Sequence, residues 1–423
     1  MFDRPSKNGS WVYFFQRVPG VQRRGQALPM VWRSAPRIMV PVLLGMLLLL
    51  PQAGSGQDAA TATDGKVRVY FGTYTRGDSE GIYVSVLDLA SGELSPPVLA
   101  APAVNPAFLA IHPEQPWLYS VGEVGDFGGR RSGAVYAFRM DPQTGLLTRI
   151  NEQPSGGTGA CHVSLDHTGR FALVANYGGG NASVLPIEAD GRLGEATAFV
   201  QHEGSSVDPR RQTAPHAHAA YVDPGNRFAL VVDLGLDRVM IYRFDAQHGT
   251  LAPNDPAWVS VNPGAGPRHF AFHPQGRFAY VINELQSSVT GFAFEASQGS
   301  FEALQTISTL PADFQGDNTT AEILVHPSGR FLYGSNRGHD SIAVFAIDPE
   351  HGRLQAVQHQ ATGGQTPRNF GIDPTGQFLL AANQASDSVV VFRIDASTGH
   401  LKATGQQIQV PTPVCVRMVP ITD

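Results

Sequence analysis

The sequence predicts an all-β fold: a seven-bladed β-propeller with four antiparallel strands per blade. Three observations carry the prediction. Seven stretches repeat one hairpin pattern, at Gly81–Leu94, Gly133–Leu146, Ala182–Leu193, Asp237–Leu251, Ser288–Phe301, Ser341–Leu354 and Ser388–Leu401. Six of them are preceded by a second signature, Asp/His-Pro-x-Gly-x-Phe with variations, as in His273-Pro274-Gln275-Gly276-Arg277-Phe278. Its aromatic falls at Trp117, Phe171, Phe228, Phe278, Phe331 and Phe378, at intervals of 47 to 57 residues. Short strands, four to a unit of about 50 residues, mark a propeller. Finally, six signatures against seven hairpins leave one blade split. Val67–Tyr74 supplies a second strand with no innermost strand before it, and Val414–Met418 is an innermost strand with nothing after it. Joining the two completes the seventh blade, closes the ring and leaves no open sheet edge.

In chain order, residues 1–56 read as an export signal and poorly ordered N-terminal segment. Residues 57–66 read as a linker, and 67–420 as a single seven-bladed propeller. The first 37 residues carry seven Lys and Arg against Asp3; thirteen apolar residues, Ile38–Leu50, and the small residues Ala53–Gly56 follow. That order is the layout of a secretory signal. The apolar run is short of the ~20 residues a membrane-spanning helix needs, so the mature chain is expected to be exported, periplasmic or secreted, with no stable membrane association. Taking seven cations and one anion from totals of 30 and 36 leaves 23 against 35. So acidic a body argues against nucleic acid as a partner. Two cysteines, Cys161 and Cys415, are too few for a disulfide framework and read as buried free thiols. The oligomeric state stays open.

The unit around residue 280 shows how a blade is built. Arg268–Phe272 is the innermost strand, Phe278–Asn283 the second, Ser288–Phe294 the third and Ser300–Thr306 the outer one. Strands are apolar on both faces, Val239 and Ile241 on one, Met240 and Tyr242 on the other, as expected where blades pack on both sides of a sheet. Gln201–Thr213 and Pro311–Thr320 are longer polar connections and read as loops between blades.

The first two strands of a blade are antiparallel neighbours, so the start of one and the end of the next share a face. One channel mouth therefore collects Cys161-His162, His216-Ala217-His218, Arg268-His269, Ala321-Glu322, Arg368-Asn369 and Cys415. The second strands add Glu123, Asn176-Tyr177, Asp233, Glu284, Asn336-Arg337 and Asn383. Cations clustered on an acidic protein suit an anionic ligand, and the planar guanidinium forks onto carboxylate or phosphate. His and Glu beside them can move protons. The bland alternative is a satisfied polar network that plugs a narrow channel. His216 and His218 share one side of a strand, as half a zinc site would, but no further ligands have recognisable spacing. No Gly-x-Ser-x-Gly elbow and no Walker or dinucleotide glycine motif is present.

Seven segments carry a resemblance: Tyr70–Thr75, Cys161–Val163, Pro215–His218, Gly266–His269, Asn283–Leu285, Ser335–Arg337 and Pro413–Val416. Together they resemble the lactonase family of seven-bladed propellers, which takes in the propeller type of 6-phosphogluconolactonase and the fungal carboxymuconate lactonising enzymes. The resemblance runs from about Val67 to Met418. It implies lactone hydrolysis without metal or other cofactor, on a small anionic sugar-type lactone. It implies His218, Arg268, Glu284 and Arg337 as the catalytic set, with either Glu284 or His218 as base. His162, His216, Asp233, Glu322 and Arg368 are the expected substrate-binding or tuning residues. An export signal fits poorly with a sugar phosphate substrate. Three other readings stand beside this one: an exported propeller that binds a ligand or protein without catalysis, a lactonising cycloisomerase, and a calcium-type lactonase.

Overall fold

The structure, a computed structural model, describes residues 65–421. The expected export signal and most of the linker lie outside the described residues. Seven four-stranded antiparallel sheets follow one another, each running from an innermost strand to an outer one. Helix is limited to one 3₁₀ turn, Gln384–Ser386, among the described residues.

The split blade is as the strand count requires. Pro413–Pro420 pairs antiparallel with Lys66–Thr73, from Val67 opposite Pro420 to Gly72 opposite Cys415. The last strand of the chain is thus the innermost strand of the first blade, and both cysteines are free and buried.

The two repeated signatures prove to be halves of a single contact between blades. The aromatic of one blade lies against the hairpin glycine of the next. A Cβ on Gly249 would come 2.3 Å from the Phe171 ring, one on Gly299 2.5 Å from Phe228, and one on Gly352 2.4 Å from Phe278. At ring closure, Phe378 of the last blade packs the same way on Gly92 of the first. The glycine is needed twice over, since its φ is also positive, +66° at Gly249. An arginine beside the aromatic reaches the same turn: Arg277 donates to Pro349 O and Arg330 to Ala396 O. The apolar faces split as the alternation predicts, with Val239 and Ile241 in one interblade cluster and Tyr242 in the neighbouring one.

What aims side chains into the channel is a register slip. In six blades the innermost strand bulges near its start, between Ala160 and His162, Ala217 and Ala219, Pro267 and His269, Thr320 and Ile323, Pro367 and Asn369, and Pro413 and Cys415. The residues left out of the ladder are Cys161, His218, Arg268, Ala321 with Glu322, Arg368 and Val414. Bulges redirect side chains and are frequent beside functional sites.

Candidate active site

Glu284, one residue beyond the strand Phe278–Asn283, is the hub of the mouth. Its Oε2 accepts from Arg268 Nε at 3.1 Å and lies 3.0 Å from Arg337 Nη2, and its Oε1 accepts from Arg211 Nη2 at 2.7 Å. Three guanidinium groups, two from the strands Pro267–Phe272 and Phe331–Arg337 and one from the connection after Gln201, thus meet on one carboxylate. Arg268 is anchored further by Nη1, which donates to Ala321 O at 2.8 Å and to His269 Nε2 at 3.2 Å. Arg337 donates to Thr320 O at 2.7 Å, while its buried Nε has no partner among the described residues. His218 lies beside this cluster, 5% exposed, its ring centroid 5.5 Å from Tyr177 and 5.3 Å from His269.

Across the mouth, Arg368 Nη2 donates to the Tyr74 hydroxyl at 2.9 Å, and Tyr74 donates to Glu123 Oε2 at 2.8 Å. His216 stacks on Tyr177 at 4.4 Å and donates from Nδ1 to Tyr177 O, which turns its Nε2 outward.

Below the rim the channel is filled. His269 Nδ1 donates to Glu322 Oε1 at 2.8 Å, Asn369 Nδ2 donates to Glu322 Oε2, and Asn369 Oδ1 accepts from Val416 N at 2.8 Å. The cavity that remains, walled by Tyr74, Phe108, Arg268, His269 and Arg368, has room for about 10 Å³ of water-sized space. That is scarcely one water molecule. The space below the rim is too small for an organic ligand.

A model of the lactonase family, described as a seven-bladed β-propeller, matches residues 68–418. The chain belongs to this lactonase family. Among lactonase relatives, the 6-phosphogluconolactonase of Bacillus subtilis is 39% identical over 301 residues, covering 71% of this chain and 83% of its own. The 6-phosphogluconolactonase of Serratia proteamaculans is 35% identical over 298 residues, 69% of this chain and 82% of its own. The structure of the periplasmic gluconolactonase of Pseudomonas aeruginosa superposes with a TM-score of 0.80 at 36% identity, covering 84% of this chain and all of that one.

The lactonase frame sorts the candidates predicted from sequence. Arg268, Glu284, His218, Arg337, His216 and Arg368 gather at one mouth. Glu322 lies in the plug beneath them, in reach of Arg268 only through His269. Asp233 stands apart from this cluster. It is fully buried, pairs with His202 Nδ1 at 2.6 Å and accepts the backbone N–H groups of His216, Gly235 and Leu236, so it shapes a turn and offers nothing to a ligand. His162 also stands apart. It lies beyond the plug against Phe108 and Tyr221, on the side away from Glu284. Sequence reasoning passed over Arg211, which hangs from the long connection after Gln201, and Tyr74, whose strand belongs to the split blade. The length and double arginine of that connection were the signal for the first.

Electrostatics separate the two candidate bases. Burial works against ionisation of Glu284, but the guanidiniums of Arg337 and Arg268, with help from Arg211, outweigh it and hold the carboxyl well below the usual range. Burial lowers the pKa of His218 well below an ordinary imidazole, and the charge of Arg268 adds to this, so His218 is neutral at neutral pH. Burial pushes Glu322 up, with Arg417 opposing.

Proposed function

We propose that this mouth hydrolyses the ester bond of an anionic sugar-type lactone, without a metal ion. The observation that carries the reading is the Glu284 clamp. It presents Arg268 and Arg337 as fixed donors beside a neutral imidazole that has no strong hydrogen bond of its own. At the rim, Arg211, Arg268, Arg337 and Arg368 outnumber Glu284 and Glu123, leaving an excess of positive charge for an anion.

Attack of water on the lactone carbonyl moves charge onto the carbonyl oxygen. Guanidiniums held in place stabilise that oxyanion more than the neutral ground state, by about 3–4 kcal/mol per donor. His218 takes the proton from water and returns it to the ring oxygen as the carbon–oxygen bond breaks. The products are the hydroxyl and the carboxylic acid, which ionises. Proton transfer of this kind is worth about 10²–10⁴ in rate. Glu284 is a poor proton acceptor while three guanidiniums face it. Its role is to orient the arginines and to stabilise the imidazolium as it forms. Glu322 and His269 act behind Arg268, fixing the fork through the Nη1 contact.

Arg211 and His216, further out on the rim, are the groups best placed to meet an anionic substituent. Beside the phosphorylated substrates named for two relatives, an unphosphorylated aldonolactone has its own support. The segment 1–56 reads as an export signal, and a 36% identical neighbour is described as periplasmic. A panel of phosphorylated and unphosphorylated aldonolactones, assayed with and without chelator, tests the proposal. Hydrolysis above the spontaneous rate that survives chelation is expected. Turnover lost on chelation, or none with any lactone, would overturn it.

A further inference from the structure

The far ends of the innermost strands build a second concavity at the opposite mouth of the channel. Its volume is about 370 Å³, within the range of small-molecule sites. Leu109–Ile111, Ala160–Leu165, Ala217–Val222 and Pro413–Pro420 contribute to its wall. Those strands start at the Glu284 mouth, so this concavity faces away from the lactone site, with the His269–Glu322–Asn369 plug between them.

Three side chains distinguish it from a turn-lined dimple. The Arg417 guanidinium lies over the Phe108 ring, 4.4 Å from its centroid. Its Nε donates to Leu109 O at 3.1 Å and its Nη1 to Val416 O at 2.7 Å, which locks the fork. Nη2 has no partner among the described residues, and no carboxylate is paired with this arginine. Two buried acids lie close by and both are engaged: Asp166, which lines the concavity, accepts from Thr168, Asn226 and the Phe171 N–H, and Glu322 is held by His269, Asn369 and the Ile323 N–H. The second side chain, His162, is 1% exposed and packs between Phe108 at 4.2 Å and Tyr221 at 4.7 Å. Its Nδ1 accepts from Ala220 N, which leaves the proton on Nε2, and Nε2 has no partner among the described residues. Tyr221 is the third, closing the wall beside His162. Neither donor is fully enclosed, so a ligand or water in the concavity can reach both.

We infer that this far mouth is a second binding site, for a small oxyanion, with Arg417 Nη2 and His162 Nε2–H as donors and Phe108 and Tyr221 as walls. A locked guanidinium on an aromatic face binds carboxylate or phosphate at little further entropic cost. The site needs no part of the hydrolytic reading: its donors, Arg417 and His162, line only the far concavity, and Phe108, which also walls the small cavity beside Arg268, stands between the two.

The test is isothermal titration of the full chain with D-gluconate and, separately, with inorganic phosphate. It is run first on Arg337→Met, which weakens the reaction mouth. At least one probe should bind this variant with Kd below about 1 mM, and the probe that binds identifies the anion as carboxylate or phosphate. Adding Arg417→Met should remove that binding. Arg417→Met alone should leave lactone turnover within about twofold of wild type. If Arg417→Met does not fold, His162→Phe, which keeps the ring and removes the N–H, should weaken the same binding about tenfold or more. Flat titrations of Arg337→Met with both probes would overturn the inference, as would binding unchanged by Arg417→Met and His162→Phe. Neither result bears on whether the other mouth hydrolyses lactones.

Discussion

Arg268 Nε donates to Glu284 Oε2 across 3.1 Å, joining the bulge of one innermost strand to the end of its neighbour in the same blade. Both groups are nearly inaccessible, with side chains 3% and 7% exposed. Breaking a buried pair leaves the survivor uncompensated, and that costs about 3–5 kcal/mol. Glu284→Gln would leave Arg268 and Arg337 with no carboxylate between them. We expect a fall in stability of that order and a loss of turnover of about 10² or more, read by denaturant unfolding and steady-state kinetics. Unchanged stability would show that the clamp is not formed in solution.

The neutral state of His218 has a kinetic signature. Its pKa lies well below 6.5 because burial and Arg268 oppose the imidazolium. The acid limb of kcat/KM should therefore fall well below pH 6.5, with a plateau through pH 6–8. His218→Gln should lower kcat by about 10²–10⁴ and abolish that limb. A limb centred at an ordinary imidazole pKa would contradict the assignment.

Stability should decline with acid earlier than carboxylate titration alone would allow. His162, His218 and His269 all have pKa values well below 6.5 in the folded chain, in each case chiefly through burial. The unfolded chain takes up these protons near pH 6.5 and the folded one does not. Stability is therefore full above that pH and lost as pH falls below it. Glu322, with its pKa raised, works in the opposite sense and cancels at most one proton. His112, His273 and His359, also lowered by burial, add to the loss, so stability should fall by more than about 1.4 kcal/mol, the worth of one proton, per pH unit below pH 6. Glu284, held low, adds to the loss only below about pH 4.5, the carboxylate range. Urea unfolding between pH 5 and 7.5 measures this.

Arg211 is the outermost of the Glu284 partners, with a side chain 38% exposed. Arg211→Ala should cost no more than about 1 kcal/mol of stability, since partly exposed pairs are screened. If the residue meets the substrate anion, KM should rise about tenfold with kcat little changed. An equal fall in kcat would place it in the chemical step instead.

Ring closure rests on Pro413–Pro420. Removing it would bare the edge of Lys66–Thr73 and uncover Phe71 and Val69, both fully buried. Truncation after Val410 should lower the melting temperature by more than about 10 °C or send the chain into aggregates.

The repeat was legible because six of the seven seams set an aromatic against a hairpin glycine, as Phe278 against Gly352 or Phe378 against Gly92; at the seventh, Gly145 meets Arg68. The mouth was legible for a weaker reason: antiparallel pairing alone sets Arg268 beside Glu284. The bulges were not legible, since no residue type marks the slip that separates Arg268 from His269. That slip decides which of two neighbours points to the rim and which into the plug. The placement of Asp233 was not legible, because an acid at a strand end looks the same whether it faces the pore or ties its own turn. Its partner His202 is 31 residues away. Arg211 was hidden because its place over Glu284 depends on how a long connection folds back.

The most direct measurement is the rate of gluconolactone and 6-phosphogluconolactone hydrolysis by chelator-treated wild type and Arg268→Gln, followed by pH-stat against the spontaneous reaction. At least one lactone should be hydrolysed well above background by wild type, and Arg268→Gln should lose about 10²–10³ of that rate while remaining folded by circular dichroism. A folded Arg268→Gln that matches wild type would place the chemistry away from the Glu284 mouth.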